Sequence, residues 1–160
     1  MARLKGVGSL LVITAGVLAV LRLLHAGVPL FVSDARPGPF TFASLADVER
    51  QMGFAPLVPA YRPATLGEAP VEIRGWFAPS PTVRIAWRGA RALRITQQRG
   101  GAEPDHPPIA QPLSDVADSL WWQDGPLAHL LVRREALWVS IETDLPVRDL
   151  RRLAATLTPY

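Results

Sequence analysis

Three histidines, His25, His106 and His129, are the side chains of this chain best able to move protons or hold a metal near neutral pH. Their spacing matches no metal-ligand pattern, and no HExxH occurs. With no cysteine in the chain, thiolate metal sites and disulfides are excluded. His129 lies inside an apolar, strand-like run. His106 lies in the proline-rich stretch 100–112, where Glu103, Asp105 and His106 form a local acid–base cluster that reads as a solvated loop. GxSxG, P-loop and GxGxxG motifs are absent, and Ser44, Ser114, Ser119 and Ser140 have no base at local spacing. Gly100-Gly101 leads into proline rather than into a helix whose amides could receive a phosphate. Asp115 and Asp118 suit turns and caps. The chain therefore reads as a non-enzyme with no catalytic residue, no metal and no cofactor.

Arginine and tryptophan carry more information. Arg84, Arg88, Arg91, Arg94 and Arg99 follow one another with no acid between them. Strand alternation puts Arg84, Arg88 and Arg94 on one face as a basic patch suited to anionic lipid headgroups or a cell-wall polyanion. The competing reading is a solvated sheet face with Glu72 and Glu142 as cross-strand partners. Five tryptophans are present. Trp87 falls on the apolar side of its strand. Trp121 and Trp122 are adjacent and must point to opposite faces, and Trp138 alternates away from Leu137, Val139 and Ile141. Trp76, Trp121 and Trp138 are candidate contacts for lipid, sugar or a protein partner.

The elements that must position these side chains begin at Ser44. Ser44-Leu-Ala-Asp47 has the form of a capping box, Leu45, Val48 and Met52 follow at helical spacing, and Gly53 is a natural stop. Residues 54–63 are too rich in proline for a central strand and read as an extended edge segment. Alternation then predicts strands over 71–78, 82–88 and 92–98, joined as an antiparallel meander, and further strands near 119–123, 127–133 and 137–143. The end of the chain predicts a helix capped by Thr143 or Asp144, with Pro146 in its first turn and Leu150, Leu153, Ala154 and Leu157 as its apolar stripe. The expected fold class is α+β, with an N-terminal transmembrane helix followed by an antiparallel sheet of five to six strands packed by an N-terminal and a C-terminal helix.

The N-terminal part sets the expected address. The run from Val7 through Leu11, Val17 and Leu21 is uncharged. Extended past Arg22 to Leu24, it reaches the roughly 18 residues that a membrane span needs. Arg22 can snorkel to the interface. Residues 1–26 are read as a retained anchor, with a cleaved signal peptide as the alternative. Residues 27–40 read as a linker and 41–160 as an extracytoplasmic domain. Arg3 and Lys5 place the N-terminus in the cytoplasm. Of the 17 basic residues, Arg3, Lys5 and Arg22 precede residue 27, so the remainder balance the 14 acids. A neutral domain argues against a nucleic-acid partner.

Gly53-Phe54, the Pro59-Ala60-Tyr61-Arg62-Pro63 segment and the stretch Leu145–Leu157 resemble a family of bacterial extracytoplasmic domains. Those domains are found at the C-terminus of membrane-anchored anti-sigma factors and sporulation-associated proteins. A looser similarity is to lipoprotein-carrier-like half-barrels. The first resemblance implies a non-enzymatic, single-pass membrane protein whose exported domain binds a protein partner or senses envelope state. The second implies a lipid- or hydrophobic-ligand-binding half-barrel, and a cell-envelope enzyme is the remaining alternative.

Overall fold

Alternating apolar residues build the sheet, and their register carries one apolar row across it. In the computed structural model, which describes residues 39–160, the elements run β1 (Phe40–Thr41), α1 (Leu45–Met52), β2 (Leu57–Pro59), β3 (Glu72–Trp76), β4 (Thr82–Arg88), β5 (Ala92–Arg99), β6 (Gln111–Pro112), β7 (Ser119–Asp124), β8 (Leu127–Arg134), β9 (Leu137–Thr143), α2 (Val147–Ala155) and β10 (Leu157–Pro159). Eight strands form one antiparallel sheet in the order β1-β3-β4-β5-β9-β8-β7-β6, while β2 and β10 pair as a separate ribbon. Two local meanders, β3–β5 and β7–β9, meet where β5 pairs with β9.

On the inward face, Ile73, Ile85, Ile95, Ile141, Leu130 and Trp121 stand opposite one another strand by strand. Ile85, Ile95, Ile141 and Leu130 are fully buried, and burying such a side chain contributes about 1.5–3 kcal/mol. Val48 and Met52 of α1 and Leu150, Leu153 and Ala154 of α2 join the same core. Both helices therefore cover the inward face. The β2–β10 ribbon is tied to it by Gln97, a fully buried side chain of β5. The Gln97 Oε1 accepts from the Leu57 amide at 2.7 Å, and its Nε2 donates to the Leu57 carbonyl at 2.7 Å.

Local chemistry explains the helix ends. The Ser44 hydroxyl accepts from the Asp47 amide and donates to the Asp47 carboxylate, the expected cap. Gly53 ends α1 with φ of 71°, in the left-handed region that glycine adopts without strain, and Arg99 donates to its carbonyl at 2.6 Å. The second helix departs from expectation. Pro146 occupies the N-cap position with no side-chain cap. Thr143 and Asp144 instead hold the adjoining β5 edge, where Thr143 donates to the Ala92 carbonyl and Asp144 accepts from the Ala92 amide. Leu157 lies in β10, not in the helical stripe.

The expected fold class is corrected. The described domain is mostly antiparallel β-sheet, with eight strands in the main sheet rather than five or six, and with two short helices. The additional main-sheet strands β1 and β6 have two residues each, too few for alternation to register in a sequence. Residues 54–63 do not edge the main sheet, because β2 pairs only with β10. The expected transmembrane helix is not found: among the described residues no helix is long and apolar enough to cross a membrane. Val7, Leu11, Val17, Leu21 and Arg22 lie outside the described residues.

Candidate functional site

With both helices on the inward face, the outward face of the sheet is left to side chains of the other alternation. Register arranges them in three rows. Trp76, Thr82, Gln98, Trp138 and Arg133 form the first, and Arg74, Arg84, Thr96, Ser140 and Leu131 the second. Glu72, Ala86, Arg94, Glu142, His129 and Trp122 form the third.

Aromatic rings and guanidinium groups pair across these rows. The Arg84 guanidinium lies over the Trp76 ring, 5.1 Å from its centroid, and Arg133 lies over Trp138 at 5.2 Å. Both geometries fall within cation–π range. The His129 ring stacks on Trp122 at 5.1 Å. Arg74 pairs with Glu72, and Arg94 with Glu142. Arg84 is different: it is half-buried and, among the described residues, has no carboxylate partner. Its Nε is buried without a hydrogen-bond partner there. Arg84, Arg94, Thr96, Gln98, Ser140 and Trp138 line a depression of about 270 Å³, into which Pro104 reaches from the loop over residues 100–110. A neighbouring depression of about 540 Å³ is lined by Trp138, Arg133 and Leu131 together with the acids Glu103 and Asp118.

The arginine run thus splits. Arg84, Arg88 and Arg94 share the outward face, with Arg88 beside Arg94 in a small depression next to Leu127. Arg91 turns to Asp144 at 3.8 Å, and Arg99 to the end of α1. Of the tryptophans, Trp76 and Trp138 are half-buried on the outward face, whereas Trp121 packs against the core at the end of the inward row. Arg74, Arg133, Thr96 and Ser140 also belong to this face; the sequence pointed to none of them as surface contacts, and Ser140 figured there only as a serine without a local base. Alternation within 71–78 and 127–133 could have found the two arginines. The hydroxyls have no signal of their own, because their placement beside Arg84 depends on β5 pairing with β9.

The groups most suited to catalysis lie apart. His106 reaches Glu103 at 3.3 Å in the exposed loop, and His129 is sandwiched against Trp122. Among the described residues no three His, Asp or Glu side chains are grouped to hold a metal. Ser44 is occupied in capping α1, Ser119 donates to the Val116 carbonyl, and Ser114 donates to Asp115. That Ser114 hydroxyl, seconded by Arg151, holds the Asp115 carboxyl below its ordinary range, so it stays ionised rather than poised to exchange a proton. On the other side of the domain, a cleft of about 460 Å³ is lined by Leu45, Val58, Ile73, Arg62 and Trp87. The buried indole N–H of Trp87 has no partner among the described residues.

No model of a known protein family matches the chain, and no curated protein matches it.

Proposed function

We propose that this chain is a non-enzymatic docking module, held at the cell membrane by its apolar leader, whose extracytoplasmic domain binds a protein partner through the outward sheet face. The observation that carries the reading is the pairing of Arg84 with Trp76 and Arg133 with Trp138 on a face that neither described helix covers. Tryptophan and arginine dominate binding energy at protein interfaces, because they bury a large rigid surface and still offer directed hydrogen bonds. The resemblance to anti-sigma-associated extracytoplasmic domains belongs to the same proposal.

Charge favours a protein over an anionic bilayer. Arg74, Arg84, Arg88, Arg94 and Arg133 dominate the face, yet Glu72 and Glu142 interrupt it, and Glu103 and Asp118 line its edge. A flat anionic membrane would meet those carboxylates as well as the arginines. A protein surface can place its acids against the arginines alone. The test is crosslinking from membranes with the intact chain, using a photoreactive residue at Gln98. The expected result is a discrete protein adduct that is lost when Arg84 and Arg133 are both changed to glutamate. Recovery of lipid alone overturns the reading.

A second reading, hydrophobic-ligand binding, is favoured by the cleft at Trp87, where Leu45, Val58 and Ile73 give apolar contact and Arg62 and Glu68 a polar rim, a mixture that suits a small amphipathic molecule. It predicts that a lipid is recovered in the same experiment and that Trp87→Phe, not a change at Arg84, abolishes its retention.

A further inference from the structure

The second outward row contains a more specific device than a basic patch. Arg84, Thr96 and Ser140 stand directly opposite one another on β4, β5 and β9, so their Cβ atoms are about 5 Å apart from strand to strand. Arg94 and Glu142 line the same depression and neutralise each other. Arg84 has no carboxylate of its own among the described residues, and its nearest charged cross-strand neighbour, Arg74, is of like sign. The Trp76 ring covers its guanidinium on one side, and the buried Nε–H has no acceptor there. Neither the Thr96 nor the Ser140 hydroxyl has a side-chain hydrogen bond to another described residue. The depression thus gathers a half-buried cation with spare N–H donors and two free hydroxyls, walled by Trp138 and Pro104.

We infer that the depression formed by Arg84, Thr96 and Ser140 is a carboxylate-binding site that takes one aspartate or glutamate side chain of the docking partner. This rests on the docking reading above. Guanidinium is a planar fork of donors that matches a carboxylate with two parallel hydrogen bonds, and the two hydroxyls can donate to its remaining lone pairs. A cation is disfavoured by Arg84 and Arg94 together. A phosphate dianion is disfavoured relative to a monoanion by Glu142, which faces the same space. A lipid headgroup is disfavoured because Pro104 narrows the depression and Glu103 lies beside it.

The site can be tested apart from the unknown partner. The full-length chain in neutral nanodiscs is titrated with a blocked Gly-Glu-Gly peptide, its Gly-Gln-Gly counterpart, inorganic phosphate and phosphatidylglycerol vesicles, and the indole N–H resonances of Trp76 and Trp138 are followed by NMR. The glutamate peptide is expected to shift both resonances saturably and the glutamine peptide to leave them in place. Arg84→Gln should weaken binding about tenfold or more, the scale of losing hydrogen bonds to a charged group. Thr96→Val with Ser140→Ala should weaken it by a smaller factor, and Arg148→Gln, the same loss of charge on α2, should leave it unchanged. Arg84→Lys, which keeps the charge and loses the fork, serves if the glutamine variant does not fold, and it too should weaken binding. An equal response to both peptides overturns the site, as does an Arg84 change no larger than that of Arg148→Gln. So does a response to phosphate or to vesicles in place of the glutamate peptide. If crosslinking still captures a protein through Gln98 in any of those cases, the docking reading stands and the carboxylate site falls. If the peptide binds as expected but no protein is captured, the site stands and its protein occupant falls.

Discussion

Gln97 shows how one side chain can replace a strand. Leu57 has no main-sheet neighbour to satisfy its amide and carbonyl, and the Gln97 carboxamide supplies both an acceptor and a donor at 2.7 Å, deep in the core. Replacing it with leucine keeps the bulk and removes both bonds. Gln97→Leu is expected to destabilise the domain by about 1–3 kcal/mol for each buried group left unpaired, measured by urea unfolding. Gln97→Glu, which keeps an acceptor and forces a charge into the same place, should be at least as harmful. A Gln97→Leu variant as stable as the parent would mean that water or a local shift replaces the clamp. Nothing in the run Leu93-Arg-Ile-Thr-Gln97 announced this role. Its parity with Leu93 and Ile95 fits an inward side chain, but its partner lies forty residues away in the stretch that reads as an extended edge segment.

At the scale of elements, the sequence was most legible where alternation was long. The six longer strands of the sheet lie within a residue or so of the expected spans, apart from β3, which is shorter at both ends, and α1 begins and ends on the cap and glycine that its sequence displays. The two-residue edges β1 and β6 were invisible, and the capping residues of α2 were misassigned because Thr143 and Asp144 serve β5 instead. The candidate site was half legible. Its arginines and tryptophans declared their faces by parity, while its hydroxyls and its proline wall arrive through long-range pairing and a loop. Gly75 on β3 shows another contact that parity cannot reveal. A Cβ there would lie 2.6 Å from the Phe42 ring, so the ring occupies the space of the absent side chain. Gly75→Ala is expected to cost about 1–3 kcal/mol through overpacking. In a thermal-unfolding cycle with Phe42→Ala, the double variant should be more stable than the sum of the single losses. Strict additivity would show that the ring does not define the constraint.

At the scale of the whole domain, the sheet is two local meanders joined along one seam, β5 against β9, with Ile95 facing Ile141 at its centre. Hairpins within each meander close short loops, whereas the seam must bring together strands separated by the 100–110 loop and all of β6 to β8. Closing that distance costs chain entropy before any contact repays it, so seam formation is expected to set the pace of folding. Ile95→Val and Ile141→Val should therefore slow refolding in stopped-flow denaturant jumps, while Ile73→Val, near the sheet edge, should mainly speed unfolding. The opposite assignment would place the rate-limiting event inside a meander. Order of synthesis gives the seam a further consequence. The inward side chains of β3, β4 and β5, Trp87 and Ile85 among them, leave the ribosome with only β1, α1 and β2 already made to cover their apolar surface, and β9, α2 and β10 are made last. The domain therefore cannot settle into its native packing while it is being made. That delay leaves the apolar side chains of the first meander exposed for the time it takes to make the second.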